Sequence, residues 1–189
     1  MKNGEEQLSR KKLTSLSKSW LVSAHLASGA IWLGTALCMV LIALSSLKTN
    51  DGNKLYAFNS AVKLLDDFIV VPAAISSVLT GTLLCWLTIW GFFKFYWVIV
   101  KWIGTTALIL FGTFWLKPWT DAMTAIADTE RIKVLTNPLF MFDIKGASIG
   151  GIIQTLSLLA IIAISIIKPW GRRDVASKNG VVPQKQSGL

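Results

Sequence analysis

The chain of 189 residues is short of charge, histidine and cysteine. Charged residues make up only 15% of it, against about 25% in a soluble domain, while 53% are apolar. The shortage is uneven: long apolar runs are nearly free of charge, and the charges crowd into tails and loops. That is the pattern of a chain whose core is solvated by lipid. The single histidine, His25, excludes a bis-histidine haem within one chain. Cys38 and Cys85 both fall in apolar runs, near opposite faces of the expected bilayer, and a disulfide needs Cα atoms within about 7 Å. No Gly-rich phosphate loop, paired carboxylate or Ser/His/Asp set is present. No apolar span carries a central Asp, Glu, Arg or Lys of the kind that ion pathways use. These absences argue against an enzyme and point to no cofactor or metal. The net charge of +9 flanks the apolar runs, so it suits anionic headgroups at the cytoplasmic face and not nucleic acid.

What is present is four apolar runs. The first, about 20–47, is far longer than the roughly 7–15 apolar residues of a cleaved signal peptide and is expected to remain as span one. Residues 68–116 carry only Lys94 and Lys101 as charges. They are too many for one span of about 20 residues and divide into spans two (68–90) and three (97–116) around a tight turn at Gly91 and Lys94. Span four covers 147–167, ended by Lys168 and Pro169. A polar basic tail (1–19) precedes this membrane domain (20–167), and a tail of disordered composition (168–189) follows it. The expected architecture is all-α: a four-helix transmembrane bundle with short amphipathic helices in its two longer loops.

In the first of these loops Leu55, Phe58, Val62 and Leu65 recur at helical spacing, fitting either a surface helix or an extension of span two. In the second, Thr120 or Asp121 is placed to cap a short helix reaching about Val134, with Lys117, Pro118 and Trp119 ending span three and Pro138 interrupting the loop helix. Asp66 and Asp67 read as a solvated start to span two, suited to the positive end of a helix dipole.

The distribution of basic residues sets an orientation. The N-terminal tail, the turn between spans two and three (Lys101 included) and the C-terminal tail hold twelve Lys or Arg residues; the two longer loops hold seven. Positive residues mark the cytoplasmic side, so both termini are expected in the cytoplasm and the protein in the cell membrane. Trp20, Trp86, Trp90, Trp97, Trp102 and Trp170 then fall near the inner boundary, and Trp115 and Trp119 near the outer one, as aromatic belts do. Trp32 alone is left in mid-membrane.

Few residues are candidates for function. His25 lies about 8 Å into span one at 1.5 Å per residue, with Trp32 on the same face. An imidazole there can bind a metal, relay a proton or meet a quinone, or simply hydrogen-bond to headgroups or a neighbouring helix. Cys85 lies at a similar depth, as a soft ligand beside His25 or as a small buried apolar residue. Gln154 is the most polar side chain well inside span four, suited to an interhelical hydrogen bond or a substrate contact. Lys101 is placed to snorkel to the inner headgroups. Ala73, Ser77, Gly81 and Cys85 form a small-residue ridge on span two; Gly104 with Gly112, and Gly146 with Gly150, offer similar close approaches.

His25-Leu-Ala-Ser-Gly-Ala-Ile-Trp-Leu-Gly34, with the hairpin from Pro72 through Leu79-Thr80-Gly81 to Trp90-Gly91 and Tyr96-Trp97-Val98-Ile99-Val100-Lys101, resembles a group of uncharacterised bacterial four-helix membrane proteins. The similarity covers about residues 20–119 and implies a four-helix membrane protein without a known activity. The His-to-Trp-x-Gly opening is more distantly similar to the copper-resistance-D-type membrane domain, which would require further His or Met ligands; Met39, Met123 and Met141 are scattered. The first expectation is therefore a non-enzymatic scaffold or accessory subunit, partnered by other membrane proteins or by itself. A small permease-like transporter and a metal- or redox-handling protein using His25 are the alternatives. A polar face shared by several helices at mid-membrane would favour transport, and none is visible in the sequence.

Overall fold

The computed structural model describes residues 14–88, 91–131 and 133–170; Trp90 and most of both tails lie outside them. Among the described residues there are six α-helices: α1 (Ser15–Ser46), α2 (Gly52–Leu65), α3 (Val71–Leu87), α4 (Tyr96–Phe111), α5 (Lys117–Glu130) and α6 (Pro138–Ile167). Asp66–Val70 joins α2 to α3 as a single wide π turn, and Gly112–Leu116 joins α4 to α5 in the same way. Four continuous helices result, each long and apolar enough to cross a membrane. This is an all-α, multi-pass membrane architecture.

The two π turns have a common cause in the sequence. Pro72 and Pro118 stand in the first turn of the helices that follow. A proline inside a helix lacks the amide donor, and its ring collides with the carbonyl four residues back. Just before each proline the chain widens: the Val71 amide donates to the Asp66 carbonyl, and the Lys117 amide to the Gly112 carbonyl. The helix thus accommodates the proline without breaking. Lys117-Pro118-Trp119 was expected to end span three; the helix continues through it, past the π turn, to Glu130.

Other boundaries shift for equally local reasons. Thr14 caps α1 by accepting from the Ser17 amide, so the helix starts five residues before Trp20 and takes in part of the polar tail. Asp51 caps α2, and the first long loop holds an extension of span two. Asn137 caps α6 through the amides of Leu139 and Phe140. Pro138 therefore starts the last helix, where its missing donor costs nothing, instead of interrupting a loop helix. Thr120 and Asp121 lie within a continuing helix and cap nothing. Gly91 adopts φ +60° in the α3–α4 turn beside exposed Lys94, as the turn requires.

Around the bundle the order is α3, α1, α6, α4. The small-residue ridge of α3 faces α1: a Cβ added to Gly81 would lie 3.2 Å from the His25 ring. Gly104 admits Ile161 of α6, Gly146 admits the Trp119 ring, and Gly150 admits Leu116 and Phe111. The helix Gly52–Leu87 has 36 residues, about 54 Å at 1.5 Å per residue, against a hydrocarbon thickness of about 30 Å. Its α2 end packs with α5 and the start of α6 as a cap at one end of the bundle. Leu55, Met123, Ala127, Val134, Phe140 and Ile144 form a core of their own there. Consecutive α3 and α4 do not pack backbone against backbone; they meet through side chains, Cys85 against Trp97 and Val98.

Candidate functional site

Two polar centres lie within the bundle, one towards each end. The first lies beneath the cap. A cavity of about 80 Å³ is walled by α1 (Trp32, Met39), by the α2–α3 helix (Asn59, Asp66), by the α4–α5 helix (Gly112, Lys117) and by α6 (Gln154). It adjoins a second cavity of about 390 Å³ that shares Trp32, Asp66, Gly112, Lys117 and Gln154 and extends between α3 and α4 along Ala74, Ile75, Leu79, Leu108 and Ile109. The larger volume is within the usual range of about 300–1,000 Å³ for small-molecule sites.

Three residues on these walls hold polar atoms without a partner. Trp32 is 2% exposed and Asn59 4%; the Trp32 Nε1–H, the Asn59 Nδ2 amide and the Gln154 Oε1 carbonyl are buried without a protein partner. Each such group costs about 1–3 kcal/mol relative to a paired one. Turning the Gln154 amide over exchanges its oxygen and nitrogen, so this position can accept or donate. Gly112 makes the room: a Cβ there would lie 3.3 Å from Gln154 Nε2.

At the mouth, charges tie the two π-turn helices together. Lys117 pairs with Asp67 and, at 3.7 Å, with Asp66; Lys63 pairs with Asp121 and, at 3.3 Å, with Asp67. Asp66 and Asp67 were expected at a solvated helix start. They lie instead in the middle of a 36-residue helix, held by Lys117 of the helix across the gap. π turns recur at functional sites, and here both turns edge one cavity.

The second centre is built on His25. Its Nδ1 lies 3.0 Å from Thr80 Oγ1 and its Nε2 3.0 Å from Lys101 Nζ. With Lys101 as an ammonium, which can only donate, Nε2 accepts and Nδ1–H donates to Thr80. The Thr80 hydroxyl donates in turn to the Ser76 carbonyl at 2.7 Å, and Ser76 Oγ meets Ser28 Oγ at 2.9 Å. Lys101 was expected to snorkel to the headgroups. It turns inward, because Gly81 opposite leaves space for the imidazole and the imidazole supplies an acceptor. A cavity of about 90 Å³ lies beside it, lined among others by His25, Gly81, Cys85, Trp97, Lys101 and Trp102.

Of the residues singled out by sequence, Trp32 and Gln154 line the first centre, and His25 and Cys85 share the second. Both nitrogens of His25 are engaged. Among the described residues no group of three or more His, Cys, Asp or Glu comes together as a metal site. Cys38 and Cys85 are free thiols. Sequence reasoning missed Asn59, Lys117, the Lys101–His25 bond and the Ser28–Ser76 bond. Pro72 and Pro118 were the available signal, since prolines inside apolar runs mark where a helix widens. Ser28 bonded to Ser76, and His25 bonded to Thr80, join α1 to α3 by polar side chains. The chain matches no family model, no curated protein and no solved structure.

Proposed function

We propose that this chain is a multi-pass protein of the cell membrane, with both termini in the cytoplasm, that binds a small amphiphile in the cavity beneath its cap. In this reading it is non-enzymatic and permease-like. The observation that carries it is that three residues lining one cavity, Trp32, Asn59 and Gln154, each hold a buried polar atom without a protein partner. A ligand presenting a carbonyl or hydroxyl head would pair with them, and the apolar volume between α3 and α4 would take its tail from the lipid. A scaffold or accessory subunit accounts for the close-packed glycines but leaves those three atoms unpaired. The excess of basic residues on the side of the tails supports the orientation.

The test is the composition of the purified protein. Material extracted in mild detergent should carry a non-protein molecule in near-stoichiometric amount by mass spectrometry. The Trp32→Phe/Gln154→Leu double variant, checked for monodispersity, should lose it by tenfold or more. Identical extracts from both proteins, with the variant melting at the same or a higher temperature, would mean that the cavity holds only water and would end the proposal.

A further inference from the structure

We infer that the pocket beside Lys101 binds the headgroup of an anionic phospholipid, with one acyl chain lying between α3 and α4. The inference is independent of the cavity beneath the cap and uses different residues.

Lys101 brings a cation into the bundle without an acidic partner. Among the described residues its hydrogen-bond partner is the neutral nitrogen of His25, and no carboxylate lies within ion-pair distance of it. An ammonium has three donors; one is engaged by His25, and Lys101 also lines the adjacent cavity of about 90 Å³. An ionisable group within a membrane span faces a cavity or a partner and marks a site. The other lining groups are neutral: His25 as the acceptor of Lys101, Ser77 and Thr105 with hydroxyls, Cys85, and the rings of Trp97 and Trp102. What is missing is negative charge carried on several acceptor oxygens, as on a phosphodiester.

The surroundings identify the source of that phosphate as a lipid. Lys101 lies five residues into α4, so its depth from the helix start is about 8 Å at 1.5 Å per residue, close to the headgroup boundary. The pocket lies between α1, α3 and α4, beside the core that Cys85 shares with Trp97 and Val98. Val78 lines both this pocket and the larger apolar cavity. A phosphodiester at Lys101 therefore has a continuous apolar path beside it, along Val78, Leu79, Leu108 and Ile109, suited to an acyl chain. With the termini in the cytoplasm the site opens to the inner leaflet, where anionic lipids concentrate.

The test uses the full chain in nanodiscs of mixed phosphatidylglycerol and phosphatidylcholine, released and weighed by native mass spectrometry. The wild type should retain one phosphatidylglycerol with at least a tenfold preference over phosphatidylcholine. Lys101→Met should bring the preference to near parity, and Lys101→Arg should keep most of it. Equal retention of the two lipids by the wild type would overturn the inference whether or not the variants fold. So would an undiminished preference in Lys101→Met, or thermal stabilisation by millimolar inorganic phosphate equal to that by phosphatidylglycerol. None of these outcomes depends on Trp32 or Gln154, so a failure here is separable from a failure of the cavity beneath the cap.

Discussion

Gly150 and Gly29 are both glycines inside long apolar helices, and the structure gives them opposite weights. A Cβ at 150 would lie 2.6 Å from Leu116 Cδ2 and 3.3 Å from the Phe111 ring, whereas one at 29 would meet nothing within 4 Å. Overfilling a packed contact costs about 1–3 kcal/mol; replacing an unconstrained helical glycine by alanine gains about 0.5–1 kcal/mol. Gly150→Ala should therefore lower the thermal midpoint in detergent and Gly29→Ala should raise it. Equal shifts from both would mean that α6 does not approach the α4–α5 helix as described. The small-residue spacing around Gly146 and Gly150 was legible in sequence because close packing in lipid needs it. Which glycine makes room for a polar group was not, since Gly81 is matched to His25 and Gly112 to Gln154 only by the fold. Trp32 was legible for a different reason: it alone among the tryptophans lay away from both interfaces. Its neighbours Asn59 and Gln154 come from distant segments that no local spacing rule connects.

The long elements owe their shape to two prolines. Pro118 follows the π turn Gly112–Leu116, and that turn sets the face that α5 presents to α2. An ordinary α turn in its place would rotate α5 by about 100°, one residue's worth at 3.6 residues per turn. Met123 and Ala127, 4% and 0% exposed, would then leave the core they share with Leu55. By helix propensity alone Pro118→Ala should stabilise the chain, since proline is about 3 kcal/mol worse than alanine in a helix interior. We expect the reverse: unchanged helical content by circular dichroism, with a thermal midpoint several degrees lower. A higher midpoint would show that the cap contacts hold the π turn without the proline. Element types and approximate spans were readable from the apolar runs because lipid leaves the backbone little choice but helix. The continuity through Lys117-Pro118-Trp119 was not, since a charge, a proline and an interfacial aromatic together are also how a span ends.

At the scale of the whole molecule, the membrane part and the cap respond to different solvents. The first rests on apolar length, and the second on a small core under α2, α5 and the start of α6, closed by Asn137 Nδ2 donating to Glu130 Oε1 at 2.8 Å and by the Arg131 guanidinium 3.7 Å above the Tyr56 ring. Such a core and its ion pairs need water on their outer side, so the cap must lie on one face of the bilayer and the α3–α4 turn on the other. In the orientation proposed from the Lys and Arg excess, the turn faces the cytoplasm. In a background with Cys38 and Cys85 replaced by serine and alanine, single cysteines at Asn53 and Thr129 should react with a membrane-impermeant maleimide in intact cells. One at Lys94 should react only after the membrane is permeabilised. Labelling of Lys94→Cys in intact cells would reverse the orientation and move the Lys101 pocket to the outer leaflet. Labelling at all three sites without permeabilisation would contradict the four-span architecture itself. The cap residues are the sharper probe, because a helix of 36 residues carries its far end well clear of the headgroups whichever way it tilts.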